Sequence, residues 1–310
     1  MLAQAPARAQ PHGRKLRLGI LRPSAAAQDV PAGLISGLQE LGYAEGRNLV
    51  IERRYAAGRF DQLGPLAREL VAARVDVLVG VGSSAAQAAR NASSTVPIIM
   101  FGNFDPVALG LVTNLARPEA NVTGILISAD GTLAAKRIEL LREAVPHAVR
   151  FAVLAPPERN FRLQLDETRK AANVHGITLD VEELQQGDYA GAFARMAARK
   201  PDALVVGAHT VFMMDRLAII ALAAQYRLPA VYEWPEQVRD GGLLAYGTDL
   251  DRLWTRVAVY ADQLLIGRKP SDLPVEQPTT FRLALNLRTA KALGLVLPQS
   301  LLLRADEVVQ

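Results

Sequence analysis

Short apolar runs and amphipathic segments alternate along the chain. The clearest apolar run, VPIIMF at residues 96–101, is typical of a strand that is buried on both faces of a parallel sheet. The next residues are GNFDP, in which Asp105 occupies an N-cap position and Pro106 suits the first turn of a helix. Residues 107–116 are therefore predicted to be helical.

The first half of the chain repeats this alternation of strand and helix. Strands are predicted at residues 16–21, 49–55, 75–81, 96–101 and 121–126, and helices at 30–41, 61–73, 85–90 and 107–116. Strands that alternate with helices in this way predict an α/β fold with a parallel sheet.

The second half repeats the pattern at an offset of about 130 residues, which is far longer than the repeat of a solenoid. Strands are predicted at 151–156, 178–184, 203–208, 228–232 and 243–247, a helix at 253–265, extended chain at 275–286, a short helix at 287–293 and an irregular end. We therefore expect two similar lobes whose strand ends face each other across a cleft.

The two predicted lobes are discontinuous in sequence. Lobe 1 is expected to comprise residues 16–125 and 249–275, and lobe 2 residues 126–248 and 276–310. Residues 1–15 are rich in Ala, Pro and Gln, and are predicted to be a disordered tail or the remnant of an export signal. The tripeptide ARA has the small-x-small form of a signal-peptidase site, but no long apolar segment precedes it.

Composition narrows the classes of function. The 310 residues are half hydrophobic, which is enough for two domains with sizeable cores. The formal charge is only +4 and the basic residues are scattered, which argues against nucleic-acid binding. Cysteine is absent, so disulfides, thiolate metal sites and cysteine nucleophiles are excluded. No apolar run approaches the ~20 residues of a membrane span.

Candidate ligand-binding residues follow the predicted strands, because loops after the carboxyl ends of parallel strands line the ligand crevice. In the first half these are Arg22 and Ser24 after the first strand, Ser83 and Ser84 after the third, and Asn103 and Asp105 after the fourth. Serine hydroxyls and free N–H groups in a tight turn suit a ligand carboxylate. Asp105 suits a ligand amine or hydroxyl, or a plain helix cap.

The second half offers a matching set of side chains at its strand ends. They are His209 and Thr210 after the third strand, Tyr232 and Trp234 after the fourth, and Tyr246 and Asp249 after the fifth. We interpret the histidine as a polar cleft contact or a cap rather than a catalytic base, and the aromatic pair as a stacking surface or core. The histidine spacing does not suit a metal site, so no metal and no cofactor are expected.

The segment GVGSSA at residues 80–85 matches the glycine-rich fingerprint of dinucleotide sites, although it follows the third strand rather than the first. The chain contains no G-x-S-x-G elbow, no P-loop and no H-E-x-x-H motif. These observations favour a binding protein over an enzyme.

Six short motifs, in their order and spacing, carry a family resemblance that covers nearly the whole chain. They are GYAEGRNL at 42–49, DPV at 105–107, NVTG at 121–124, KRIELL at 136–141, DLPVEQP at 272–278, and the ending AKALGL at 290–295 to RADE at 304–307. The chain resembles the ABC transporter substrate-binding proteins whose better-known members bind tryptophan, tyrosine or phenylalanine.

The resemblance implies a type I periplasmic binding protein fold, in which a three-strand hinge joins two Rossmann-like lobes and the ligand is clamped between them. It implies export to the periplasm and delivery of the ligand to an ABC transporter permease. It also implies that the loops with the candidate residues, together with Ser128, line the cleft. In amino-acid-binding relatives an acidic residue precedes an Asn-Thr pair. Alanine takes that place here, in Ala208-His209-Thr210, which favours an aromatic or carboxylate-bearing ligand other than an amino acid.

The leading prediction is thus a monomeric, non-enzymatic receptor for a small molecule. Two alternatives remain open. One is the ligand-sensing domain of a regulator with the same fold, which would need a DNA-binding or signalling segment. The other is a two-lobed sugar-nucleotide transferase, which would bind nucleotide at residues 80–85.

Overall fold

The computed structural model describes residues 14–24, 30–127, 132–156, 161–185 and 187–310. The predicted export signal and the candidate Ser128 lie outside the described residues. Within them, strands and helices alternate as the sequence predicts.

The strands form two sheets. They are β1 (Leu16–Arg22), β2 (Leu49–Tyr55), β3 (Val77–Val81), β4 (Ile98–Gly102), β5 (Val122–Leu126), β6 (Arg150–Ala155), β7 (Thr178–Glu183), β8 (Ala203–Val206), β9 (Ala230–Tyr232), β10 (Leu244–Gly247), β11 (Arg282–Asn286) and β12 (Glu307–Val309). The first sheet has the order β2-β1-β3-β4-β5 and the second the order β12-β11-β10-β9-β8-β6-β7. All described pairings are parallel except that of β10 with β11.

Helices cover both faces of each sheet. They are α1 (Ala32–Glu40), α2 (Leu63–Ala72), α3 (Ser83–Ala92), α4 (Thr132–Ala144), α5 (Arg162–Val174), α6 (Tyr189–Ala198), α7 (Thr210–Met214), α8 (Arg216–Gln225), α9 (Pro235–Arg239), α10 (Leu250–Leu265), α11 (Leu287–Leu293) and α12 (Gln299–Arg304). This is the predicted α/β fold with two parallel-sheet lobes, which the structure confirms.

Each sheet separates two apolar clusters, because successive side chains of a strand point to opposite faces. In the first lobe, Leu18 and Ile20 of β1 pack beneath α1 and α10, whereas Leu21 packs beneath α2 and α3. In the second lobe, Phe151 of β6 faces α4 and α5, whereas Leu154 faces α6 and α8. Both sheets are therefore buried on both faces, as their near-continuous apolar runs predict.

The chain passes between the sheets more than once. It enters the second sheet after β5, and after β10 it returns so that α10 packs against α1 of the first lobe. Glu276 then pairs with β5, since its N–H donates to the carbonyl of Gly124 and its carbonyl accepts from the N–H of Leu126. The next strand, β11, belongs to the second sheet.

Two predictions of local structure are wrong. Residues 107–116 do not form an α-helix: the Asp105 carboxylate caps a single turn by accepting the N–H groups of Val107 and Ala108, and that turn ends at Gly110, whose φ is +67°. The chain after residue 293 is not irregular, because it forms α12 and β12.

Strand β12 is fixed by a neighbouring strand and by an ion pair with α9. It extends the sheet by pairing with β11, and Glu307 accepts two hydrogen bonds of 2.7 and 2.8 Å from the Arg239 guanidinium of α9. A three-residue strand of this kind depends on partners that are distant in sequence, which is why its local pattern did not predict it.

Two glycines let α1 and α10 approach closely. A Cβ atom at Gly33 would overlap the backbone carbonyl of Asp251, and one at Gly37 would lie 2.8 Å from the Cβ of Ala258. We expect Gly33→Ala to lower the free energy of unfolding by about 1–3 kcal/mol, because α10 must move away to admit the methyl group.

The matched control is Gly64→Ala in α2, where the added Cβ would meet only the flexible end of Arg68 at 3.7 Å. This change should be neutral or stabilising by up to about 1 kcal/mol, since alanine is the better helix former. Urea unfolding of both variants measures the difference, and equal effects would contradict the close packing of α1 on α10.

Candidate functional site

The carboxyl ends of the central strands meet where the two lobes face each other. In the first sheet, β3 pairs with β1 on one side and β4 on the other, so the loops that follow them lie side by side. In the second sheet, β9 is flanked by β8 and β10 in the same way. A cavity of about 300 Å³ lies between the lobes at this point.

The cavity wall is mostly apolar and aromatic, and it carries four charged side chains. Lobe 1 contributes Arg22, Pro31, Val81, Phe101, Leu250, Asp251 and Trp254, and lobe 2 contributes Met213, Met214, Arg216, Trp234 and Glu236. Ile127 lines the cavity just after β5, where the chain leaves the first sheet. Such a wall, apolar with a few polar groups, is typical of small-molecule sites.

Three aromatic side chains, Phe101, Trp234 and Trp254, line the cavity. The rings of Phe101 and Trp254 have centroids 4.0 Å apart and planes tilted by 34°. Trp234 is carried by lobe 2 after β9, yet it packs in the apolar cluster of lobe 1 and is only 2% exposed. Its indole Nε1 has no hydrogen-bond partner among the described residues. Trp234 therefore connects the lobes and keeps an unused donor beside the cavity.

The charged side chains of the cavity are of both signs. Arg22 ends β1 and is 7% exposed, and its burial lowers the pKa of the guanidinium. Arg216 begins α8, where its Nε donates to Asp240 at 2.6 Å. Glu236 lies in the first turn of α9, and its buried Oε2 has no partner within the described part of the chain. Burial raises the pKa of this carboxyl. The site can thus receive a ligand that carries a carboxylate, an ammonium group or both.

A buried ion pair supports the loop that carries Trp234 and Glu236. Arg137 of α4 places Nη2 3.2 Å from Oε1 of Glu233, and its Nε donates to the carbonyl of Tyr246 at 2.8 Å. Both side chains of the pair are almost fully buried. Burial raises the pKa of Glu233 to about 7, against the opposing effects of Arg137 and His209. The pair fixes the ends of β9 and β10 relative to α4.

The structure brings one predicted lobe 1 residue, Arg22, into the cavity wall. The other five described candidates lie at the strand ends without lining this cavity. Ser24 and Ser83 are buried, and Ser84 and Asn103 are half-buried. Asp105 is exposed and acts as a cap.

Of the lobe 2 candidates, Trp234 lines the cavity. His209 caps α7, where its Nδ1 accepts from the N–H of Val211 at 3.3 Å, and Thr210 is the first residue of that helix. Tyr246 packs against a core of lobe 2, and Asp249 caps α10 by accepting the N–H of Arg252 at 3.1 Å.

Tyr232 lies in the core of lobe 2 instead of at the cleft. It is 1% exposed and packs with Phe193 and Phe212. The cause is the alternation of β9, which directs Val231 to one face of the sheet and Tyr232 to the other.

Sequence reasoning missed Glu236, Arg216, Asp251 and Trp254. Glu236 had a usable signal, because it lies two residues after the candidate Trp234 at the same strand end. Asp251 and Trp254 had none, since only the return of α10 to lobe 1 brings them to the cavity.

A family model described as ABC transporter substrate binding protein matches residues 23–309 of the chain. The chain belongs to this family. This substrate-binding protein is 26% identical over 264 residues to the tyrosine-binding protein of Clostridioides difficile (strain R20291), with 85% of this chain and 76% of that relative covered. Family membership confirms the resemblance drawn from the motifs.

Two solved structures are similar along most of the substrate-binding protein. A conserved domain protein from Vibrio cholerae matches with a TM-score of 0.85 and 26% identity, covering 95% of this chain and all 100% of that one. An ABC domain from Streptococcus pneumoniae in complex with L-Trp matches with a TM-score of 0.84 and 25% identity, again covering 95% and 100%. The fold of this family is therefore the fold described above.

Membership in this family implies that the partners of the protein are a small-molecule ligand and a membrane transporter. It favours the receptor hypothesis over the regulator and the transferase, because the family is one of solute-binding proteins and not of enzymes. Among the described residues, no helix is long and apolar enough to cross a membrane.

The buried Glu233 predicts a pH dependence of stability. Because its pKa is raised from 4.5 to about 7, the folded protein keeps a proton there that the unfolded chain has lost. This contribution is present below pH 4.5 and is lost as the pH rises through 7, and it amounts to a few kcal/mol. Glu233→Gln should remove this part of the slope, whatever its effect on absolute stability.

The measurement is urea unfolding of both proteins at several pH values from about 4.5 to 7.5. Glu40→Gln, at an exposed position of α1, is the control and should keep the wild-type slope. If the Glu233 variant and the wild type had parallel profiles, the raised pKa would be contradicted.

Proposed function

We propose that this protein is the extracytoplasmic receptor of an ABC importer and that it clamps an aromatic, carboxylate-bearing solute in the cavity between its lobes. The observation that carries the proposal is the presence of Phe101, Trp234 and Trp254 beside the buried Arg22 in one cavity of about 300 Å³. Substrate-binding proteins of ABC importers act outside the cytoplasm, which supports a periplasmic location.

The aromatic wall suits a planar ligand group. Offset or edge-to-face contacts between rings are worth about 0.5–1.5 kcal/mol beyond the burial of area. Met213 and Met214 face the same space from lobe 2, and thioether side chains adapt their shape to an aromatic edge. A ligand ring between the tryptophans and the methionines would contact both lobes at once.

The guanidinium of Arg22 suits the ligand carboxylate. An arginine at a strand end offers a planar fork of donors, and its hydrogen bonds to a carboxylate strengthen when water is excluded. Arg22 belongs to lobe 1 and is only 7% exposed, whereas the second cavity arginine, Arg216 of lobe 2, has a side chain that is 27% exposed. We choose Arg22 for the carboxylate because it is the more buried of the two.

Two carboxylates in the wall favour an aromatic amino acid over a simple aromatic acid. Glu236 has a buried oxygen without a described partner, and Asp251 faces the same cavity from α10. A ligand ammonium would satisfy both. The place that holds an acidic residue in amino-acid-binding relatives is Ala208, whose backbone N–H and carbonyl are held by the Gln164 amide at 2.6 and 3.2 Å. Glu236 would supply the missing charge from a different loop.

Closure follows from the division of the wall between the lobes. Ligand contacts with Trp254 on α10 and with Glu236 on α9 can form together only when the lobes approach, so binding energy would hold the closed arrangement. We propose that the three connections between the lobes act as the hinge, that the closed monomer is the form that docks on the permease, and that lobe 1 and lobe 2 divide near residues 126, 249 and 276.

The test is calorimetric titration of protein freed of any carried ligand by unfolding in urea and refolding. L-tryptophan, L-tyrosine and L-phenylalanine should bind, and their deaminated counterparts, such as 3-phenylpropanoate, should bind more weakly. Arg22→Met should weaken amino-acid binding by ~100-fold, and Glu236→Gln by ~10-fold. Arg288→Met, at an exposed position of α11, should leave affinity unchanged.

The deaminated acids separate the two ligand classes. Glu236→Gln should leave their binding unaltered, because they carry no ammonium. Tighter binding of the acids than of the amino acids would overturn the amino-acid assignment and restore the aromatic acid. Failure of every aromatic compound to bind would overturn the proposed ligand class as a whole.

A further inference from the structure

A second cavity lies where the chain passes between the lobes. Its volume is about 190 Å³, and it is lined by residues of the segment 248–256 and of the segment 276–282. The first segment leads from β10 into α10, and the second leads from α10 to β11. The cavity therefore touches two of the connections between the lobes and is separate from the interlobe cavity described above.

The charges that face this second cavity do not balance. Three arginines, Arg252, Arg256 and Arg282, stand against two carboxylates, Asp249 and Glu276, which leaves one positive charge. The Arg256 guanidinium is paired with both oxygens of Glu276, and Arg282 lies 3.6 Å from Asp249. Arg252 has no ion pair among the described residues. It is the cation that this wall leaves unpaired.

The remaining wall is rich in hydrogen-bonding groups. Gln277, Thr279 and Thr280 line the cavity from the segment that precedes β11. Thr248 also lines it and is 1% exposed, and its buried Oγ1 finds no hydrogen-bond partner in the described part of the chain. An unsatisfied buried hydroxyl costs free energy unless a partner is supplied. A net positive cavity with several hydroxyl and amide groups suits a small group with many acceptor oxygens.

We propose that this cavity binds a small oxyanion of the phosphate or sulfate type, with Arg252 and Arg282 as its charged partners. Arg252 is carried by α10 of lobe 1 and Arg282 by β11 of lobe 2. The anion would thus bridge the lobes beside their connections, and its affinity would depend on their relative orientation. By thermodynamic linkage, an anion bound there also biases that orientation.

The test uses the full chain and inorganic phosphate. Calorimetric titration at low ionic strength should give saturable binding of one equivalent with a Kd in the millimolar range or tighter. Sulfate should compete, whereas sodium chloride at equal ionic strength should not. Arg252→Ser should weaken phosphate binding by ~10-fold or more. Arg288→Ser, which removes an exposed arginine elsewhere, should have no effect.

Absence of saturable binding up to about 50 mM phosphate would overturn the proposal. So would an Arg252 variant that binds like the wild type, or equal competition by chloride. Thr248→Val gives a second variant, which keeps the shape of the side chain and should weaken binding without altering the charge.

The link to lobe orientation has its own measurement. The chain contains two tryptophans, and both of them, Trp234 and Trp254, line the interlobe cavity. Phosphate should therefore change the intrinsic tryptophan emission with the same midpoint that calorimetry gives. Unchanged emission at saturating phosphate would overturn the link. Because this experiment uses no solute of the interlobe cavity, its outcome is independent of the proposed ligand.

Discussion

The packing of α10 against α1 is the contact on which both cavities depend. The hydroxyl of Thr255 reaches the carbonyl of Gly33 at 3.3 Å across 222 positions of sequence. To make this contact, the chain must leave the second sheet after β10 and come back to the first lobe. That return places Asp251 and Trp254 in the wall of the interlobe cavity, and Arg252 and Arg256 in the wall of the second one. A helix packed elsewhere would leave both cavities without one side.

The buried pair of Arg137 and Glu233 serves the same site from the other lobe. Removing two charges from water costs several kcal/mol per ion, and their attraction offsets this only in good geometry. Glu233 directly precedes Trp234, whose ring packs in the apolar cluster of lobe 1. The pair therefore fixes where one loop lies relative to α4. Binding sites commonly retain such arrangements, because a ligand needs its contacts to be in place before it arrives.

Local patterns in the sequence predicted most of the fold, because strand burial and helix amphipathicity are local properties. Strand β2 has the predicted bounds, 49–55. The predictions failed where the local structure depends on a single residue or on a partner distant in sequence. Asp105 caps the turn as predicted, but Gly110 ends it after one turn, so the predicted helix does not form. The residues of the candidate site fall into the same two groups. Arg22 and Trp234 could be predicted because strand ends line the crevice, whereas the position of Trp254 depends on a helix contact that no local pattern encodes.

Strand β12 has a mechanical consequence for the cavity. Glu307 accepts two hydrogen bonds from Arg239. Arg239 belongs to the short helix α9, which also contains Glu236 of the cavity wall. Tension applied to the last residues would thus be transmitted through one guanidinium to the wall of the interlobe cavity. A biosensor built on this scaffold would report differently if it were anchored at residues 307–309 than if it were anchored at a loop of the other lobe.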